Sequence, residues 1–376
     1  MKKENKKTYI GAATLIGSAI GAGILGIPYV IQQAGFTIGL THLIFLTAIM
    51  TYLVLCLGEI ALRTRKNHHL TGYAEKYLGP TGKKIMFAAF AFGIYAALIA
   101  YLIGEGQSLS HLLFNSAAYS FHLGILFWLM ISVFAYTGLK ALEKGEEFGV
   151  LLIIALILGL AMLASTKINP AHLQTINLSE IFTPFGIILF ALLGFSALPE
   201  VERELGSEKK NLKKSILIAY ATIFVAYLIF AVVVVGWKGA ATPEVATLAL
   251  GKPFILLGIL TMFTSYLALT FAMMDTLRFD FHYSKEKSWI ITNTLPLLLY
   301  VLLTMTNTAS FTTVLSIGGV LSGGLMAILI LIMHPKAKSL GDEPPAYRIP
   351  HSKIITVLLV ILFIFAAAQQ IWQVLI

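Results

Sequence analysis

Two short stretches of this 376-residue chain hold residues that free backbone atoms, rather than side chains, for chemistry. Gly17, Gly21, Gly23 and Gly26 crowd the first, which ends in Gly23-Ile-Leu-Gly-Ile-Pro28, and Gly194-Phe-Ser-Ala-Leu-Pro199 forms the second. Each glycine costs a helix about 1 kcal/mol, and each proline removes a donor and clashes one turn back. Helix is expected to lapse there, which leaves N–H and C=O groups to pair with a bound ion or a polar solute. A plainer reading of Gly17-Ser-Ala-Ile-Gly21 is small-residue helix packing. The recurrence of the glycine–proline spacing favours the broken helix. Gly21-Ala-Gly-Ile-Leu-Gly26 also fits the dinucleotide fingerprint, but no strand precedes it and no acid follows about 20 residues on. Elsewhere, Thr261, Thr264 and Ser265 share one helical face by their i, i+3, i+4 spacing. Hydroxyls so placed commonly bond back to their own helix. None of the nine histidines has metal-ligand spacing, and Cys56 is the lone cysteine. A disulfide framework and a cysteine-rich metal site are thus excluded, and no enzyme chemistry is expected.

The elements that must hold these residues follow from composition. The chain is 58% hydrophobic and 12% charged, against about 45–50% and about 25% in soluble domains. Eleven apolar runs stand at 8–34, 37–62, 84–108, 122–139, 148–166, 180–199, 212–236, 253–277, 289–305, 311–333 and 353–375. Runs of about 20 residues cross a bilayer core of about 30 Å, so an all-α, multi-pass integral protein of the cell membrane is expected. The first run is too long for a signal peptide and ten more follow it. With the N-terminus in the cytoplasm, inner segments carry 24 of the 27 Lys and Arg, and outer ones only Lys167, Lys238 and Lys252. That asymmetry fixes the orientation and leaves the C-terminus outside. The net charge of +9 then belongs to the anionic leaflet, and no nucleic-acid partner is implied.

Internal symmetry orders the spans. The two glycine–proline motifs are offset by 171 residues, and the same shift carries spans two to five onto spans seven to ten. Two five-helix units result, 1–166 and 167–335, the second inserted upside down because five is odd. Residues 336–376 add an inner loop and span eleven. Inverted repeats whose first helices are both interrupted are the architecture of many secondary transporters.

The motifs themselves resemble a known group. GSAIGAGILGIPYVIQQAG is similar to the span-one motif of the amino acid–polyamine–organocation superfamily, closest to its aromatic and hydroxy amino acid permeases and the amino acid/auxin branch. FALLGFSALPEVEREL resembles their span-six motif, and GEIALR their span-two ending. The resemblance implies a leucine-transporter-like fold with one central site for an amino acid. It would place the substrate carboxylate on the N–H groups of Ala22, Gly23 and Ile24, a helix start that favours an anion. The amino group would meet carbonyls of Ala19, Phe195, Ser196 and Leu198, with Phe195 also walling the side-chain pocket. Tyr95, about 16 Å above Lys84 at about 1.5 Å per residue, is the third-helix candidate, ahead of Tyr101.

The resemblance also implies a cation site, with carbonyls of Gly17 and Ile20 facing Thr261, Thr264 and Ser265. Such oxygens suit Na⁺, and span five lacks the lysine that some relatives use for proton coupling; H⁺ is the alternative. Glu59, Glu105 and Asp275 are read as interfacial, Glu59 beside Arg63. Glu200 follows the span-six break and is a proton or gating candidate, with Arg203 as its structural partner. Asp280 with Lys6 or Lys7 is a gate candidate by analogy. The expectation is a cation-coupled transporter of neutral, possibly aromatic, amino acids, with no cofactor and no evident partner subunit. A sensor on the same fold is the alternative.

Overall fold

The computed structural model describes residues 3–65, 68–137, 146–308 and 310–375, and the described residues contain helices and no strand. Inner and outer below mean the sides set by the basic loops. Span one is two helices, α1 (Lys3–Ala19) and α2 (Gly23–Ala34), bent by 60°. α3 (Phe36–Leu62) returns inward. α4 (Leu70–Phe114) joins an inner-loop helix to span three, turning at Gly79 (φ 76°) before Pro80. The inner stretch 63–83, between the second and third apolar runs, is therefore helical from Leu70. α5 (Ser120–Thr137) and α6 (Glu146–Ala164) complete the first unit, and the tip of the predicted 122–139 run lies outside the described residues.

The second unit begins with another broken span, α7 (Thr183–Ala191) and α8 (Leu198–Leu205). α9 (Leu212–Lys238), α10 (Lys252–Asp275) and α11 (Lys285–Thr306) follow. α12 (Phe311–Ile317) and α13 (Gly324–Leu340) form one span through a π-helical stretch at Gly318–Gly323, and α14 (Lys353–Leu375) is last. Among the described residues, nine helices are long and apolar enough to cross a membrane, and the bent α1–α2 pair makes a tenth. α6 takes the place of the fifth predicted run. Span six does not stop at Pro199, because Pro199 stands in the first turn of α8, where its missing N–H costs nothing.

Packing sorts the helices into two groups. α1, α2, α3, α7 and α9 contact one another, while α4 gathers α5, α10 and α11. Outward faces stay apolar, as at Leu126, Leu129 and Val133 on α5 and Leu298 and Leu302 on α11, which suits hydrocarbon.

Inner ends are tied by polar bonds. Thr14 on α1 donates to the Glu204 carboxylate at 2.9 Å, and Lys7 donates to the Leu205 carbonyl at 3.1 Å. Glu202 is buried and accepts from Tyr73 (3.3 Å) and Lys209 (2.7 Å). Glu59 does pair with Arg63, at 2.8 Å, three residues from the inner end of α3, and it is fully buried. It also accepts from His334 Nε2 at 2.9 Å and from the Ile349 N–H at 2.6 Å, which fastens the 341–352 loop to α3. In that loop, Asp342 accepts from the Arg65 N–H and from Lys76, bonds that hold its carboxyl below the usual range.

Candidate functional site

The helical ladder of α1 ends where the Ile20 N–H reaches the Ile16 carbonyl at 2.8 Å. The Gly21 N–H then turns back to Ala19, and the Leu25 N–H to Ala22. Between these bonds the N–H groups of Gly23 and Ile24 have no backbone acceptor among the described residues, as the first turn of a helix dictates. The carbonyls of Gly17 and Ile20 fall outside the ladder for the same reason. A short stretch thus offers donors aimed one way and acceptors aimed the other, buried near the middle of the molecule.

Glycine is required here by close approach. A Cβ on Gly23 would lie 2.8 Å from the Ala191 Cα, so the start of α2 rests directly on the end of α7. A Cβ on Gly21 would meet Ser265 Oγ at 3.0 Å and Tyr101 Oη at 3.2 Å. The Tyr101 hydroxyl stands beside the backbone of Ala22 and the hydroxyl of Ser265. Spans one, three, six and eight therefore converge on residues 21–23.

Span six breaks earlier than its motif suggests. α7 ends at Ala191, and its last carbonyls are satisfied from α9: Tyr220 donates to Leu192 at 3.0 Å. The Tyr227 hydroxyl lies 2.7 Å from the Ala191 carbonyl and 2.9 Å from that of Ala19. One phenol thus joins the carbonyl ends of both broken spans, and neither tyrosine was singled out from sequence. Both look like ordinary aromatic core in a hydrophobic helix, so no pattern marked them.

The anticipated residues are placed as follows. Ala22, Gly23 and Ile24 are at the start of α2, with donors free at Gly23 and Ile24. Ala19 is present, but its carbonyl already accepts from Tyr227 and Gly21. The Phe195 carbonyl accepts from the Leu198 N–H inside the turn that leads into α8. Leu198 is the first residue of α8 and does not end the outer half-helix. Phe195 is buried, and Ser196 is exposed within the break. Tyr95 points elsewhere, donating to the Ile291 carbonyl on α11 at 3.2 Å. Tyr101 is the phenol at the break.

Of the span-eight hydroxyls, only Ser265 is shown against span one. Thr261 donates to Leu257 at 2.9 Å, and the exposed Thr264 donates to Leu260 at 3.1 Å. A hydroxyl that gives its proton to a carbonyl keeps lone pairs for a cation, so these bonds do not remove it as a ligand. Glu200 is exposed on α8, and its anticipated pair with Arg203 is not formed. Asp280 accepts from Thr71 at 2.6 Å, while Lys7 goes to Leu205. Among the described residues no ion pair joins Asp280 to Lys6 or Lys7, and Glu202 and Glu204 are the α8 acids that tie the inner ends.

Comparison with known proteins agrees with this geometry. The model of the tryptophan/tyrosine permease family matches residues 4–370. The tyrosine-specific transport system 1 of Haemophilus influenzae is 28% identical over 226 residues, 59% of this chain and 56% of that protein. The chain thus spans little more than half the length of that relative. Glutamine transporter 2 of Aliivibrio fischeri is 23% identical over 313 residues, covering 78% of this chain and 81% of the relative. The crystal structure of MhsT in complex with L-phenylalanine superimposes with a TM-score of 0.72 at 15% identity, over 95% of this chain and 98% of that one. The leucine-transporter-like fold is shared.

Proposed function

The chain belongs to the tryptophan/tyrosine permease family, and on that premise we propose that it is a secondary active importer of neutral amino acids, aromatic ones foremost. The observation that carries the reading is the junction at Gly23 and Ala191, where two half-helix ends meet with unpaired donors beside a phenol. The N–H groups of Gly23 and Ile24 and the Tyr101 hydroxyl suit a carboxylate, because a helix start favours an anion. Carbonyls freed near the break, Gly17 and Ile20 among them, suit an ammonium group or a cation. Relatives named for tyrosine and for glutamine, and a fold-mate crystallised with L-phenylalanine, bracket the side chain as large and uncharged.

Transport on this reading is cation-coupled symport by alternating access across the cell membrane, with the N-terminus inside. The group around α1, α2, α3, α7, α8 and α9 rocks against the α4, α5, α10, α11 scaffold. Na⁺ would sit between the Gly17 and Ile20 carbonyls and Thr261, Thr264 and Ser265. Proton coupling is the second reading, favoured by a buried acid considered below.

Uptake of radiolabelled tyrosine, tryptophan, phenylalanine and glutamine into proteoliposomes, under an inward Na⁺ or an inward proton gradient, tests the proposal. Accumulation of at least one of them is expected. Binding without accumulation under either gradient would make the protein a sensor, and neither binding nor uptake would end the reading.

A further inference from the structure

Glu105 lies on α4 one turn outward of Tyr101 and nine residues short of the helix end at Phe114. The sequence places it at an interface. The structure instead buries it completely, at 0% exposure, and neither carboxyl oxygen has a hydrogen-bond partner among the described residues.

Two close approaches define its surroundings. Tyr101 meets Ser265, and a Cβ on Gly104 would meet Met262 at 2.8 Å, which is one antiparallel register between α4 and α10. That register sets Glu105 level with Thr261 and Ser108 level with Gly258. Thr247 Oγ1 packs at the Gly258 position, 2.7 Å from where a Cβ would stand. Ser108 Oγ and Thr247 Oγ1 are also buried without a partner. The carboxyl thus stands at the inner end of a run of unpartnered polar atoms that leads outward from the break.

The helices packed on this stretch present phenols in their bodies: Tyr95 and Tyr101 on α4 itself, Tyr266 on α10 and Tyr300 on α11. Their other ionisable groups stand toward the ends: Tyr73, Glu75, Lys76, Tyr77, Lys83 and Lys84 on the inner part of α4 and His111 at its outer end; His122 and Tyr136 on α5; Lys252 and Asp275 on α10; Lys285, Glu286 and Lys287 on α11; and His334, Lys336 and Lys338 on α13. α12 has none. Among the described residues, Glu105 forms neither an ion pair nor a hydrogen bond through its carboxyl oxygens.

A buried carboxylate with no donor and no counter-charge is among the most expensive groups a membrane interior can hold. A single proton neutralises it and needs no further ligand, whereas a metal cation needs several oxygens; the Thr261 proton is already given to Leu257, so Thr261 offers the carboxylate no donor. Resting on the transport reading above, we propose that Glu105 is the proton site of a proton–amino acid symport cycle. A proton from outer water forms the carboxyl O–H, by way of Ser108 and Thr247. The same O–H breaks to water on the inner side once the bundle has moved, so one proton crosses with each substrate.

The experiment compares wild type with Glu105→Gln, which keeps the shape of the neutral acid. Three quantities are read in proteoliposomes and detergent: accumulation under a proton gradient, exchange of labelled for unlabelled substrate with no gradient, and substrate Kd against pH. Glu105→Gln should retain exchange, lose accumulation down to the equilibrated level, and bind with a flat pH profile. Glu105→Asp should restore part of the accumulation. In wild type alone, a pH indicator should report uptake of about one proton per substrate bound, a readout that survives any folding defect of the variants. Accumulation driven only by Na⁺, undiminished accumulation in Glu105→Gln, or no proton taken up with substrate would each overturn the assignment while leaving amino acid transport intact. A wild type that neither accumulates nor exchanges any of the four amino acids would instead bring down the transport reading, and this inference with it.

Discussion

Two phenols at the centre have separable tasks. Tyr227 sits between the carbonyls of Ala19 and Ala191 with a single proton to share. Tyr227→Phe strands the Ala191 carbonyl and leaves that of Ala19 with only its Gly21 bond, in a dry interior where an unsatisfied group costs about 1–3 kcal/mol. A clear fall in the thermal unfolding midpoint in detergent is expected, larger than for Tyr220→Phe, which strands only Leu192. Tyr101→Phe should leave that midpoint nearly unchanged, because the Ala22 N–H and Ser265 stay close to the break. It removes the donor offered to a substrate carboxylate, so substrate Kd should rise about tenfold or more. Equal Kd in Tyr101→Phe and wild type would take the phenol out of the site. The same pair of helices shows what a sequence can say about a side chain. Rise along α4 gives depth, and depth alone pointed to Tyr95. Six residues separate Tyr95 from Tyr101, and at about 100° per residue they lie about 120° apart round the helix, so one faces α11 and the other the break. Which face is buried against span one depends on the neighbours of α4, and α4 is apolar on most sides.

At the scale of elements, the two glycine–proline motifs are equivalent in sequence and differ in what they build. In span one, Gly23 opens α2 and Pro28 lies inside that helix. In span six, Gly194 belongs to the break itself and Pro199 sits in the first turn of α8. The existence of both breaks was legible because glycine and proline act locally. The carbonyls at the end of α7 were misplaced by several residues because a proline can mark either an interruption or a helix start. Breaking early lets the end of α7 carry the start of α2, and that contact is testable. Gly23→Ala drives a methyl into backbone, the Ala191 Cα at 2.8 Å, which cannot yield without moving a helix. Overpacking of this kind costs about 1–3 kcal/mol, and uptake normalised to protein in the membrane should be abolished. Gly21→Ala meets only the ends of Ser265 and Tyr101 side chains, at 3.0 and 3.2 Å, and should keep partial uptake. Equal activity in the two variants would mean that the junction of α2 and α7 does not position the site.

Over the whole molecule, two packing groups meet along the broken spans, and polar ties collect at their inner ends. Thr14 with Glu204 and Lys7 with Leu205 hold α1 to α8 within one group, Thr71 with Asp280 joins α4 to the end of α10 within the other, and Tyr73 with Glu202 crosses between them. All of these lie on the face that carries the basic loops, so the compartment which that face meets is the one these ties close off. On the reading proposed above, the charge asymmetry of 24 to 3 puts that face in the cytoplasm. The protein lends itself to a direct test, because its lone cysteine, Cys56, is fully buried and silent to a bulky thiol reagent. Single cysteines at exposed serines then report on each side: Ser179→Cys between α6 and α7, and Ser339→Cys at the end of α13. A membrane-impermeant maleimide added to intact cells should label Ser179→Cys at once and Ser339→Cys only after permeabilisation. The reverse pattern would turn the molecule over, and Glu105 would then take its proton from the cytoplasmic side, while net flux of the amino acid would still follow the proton gradient.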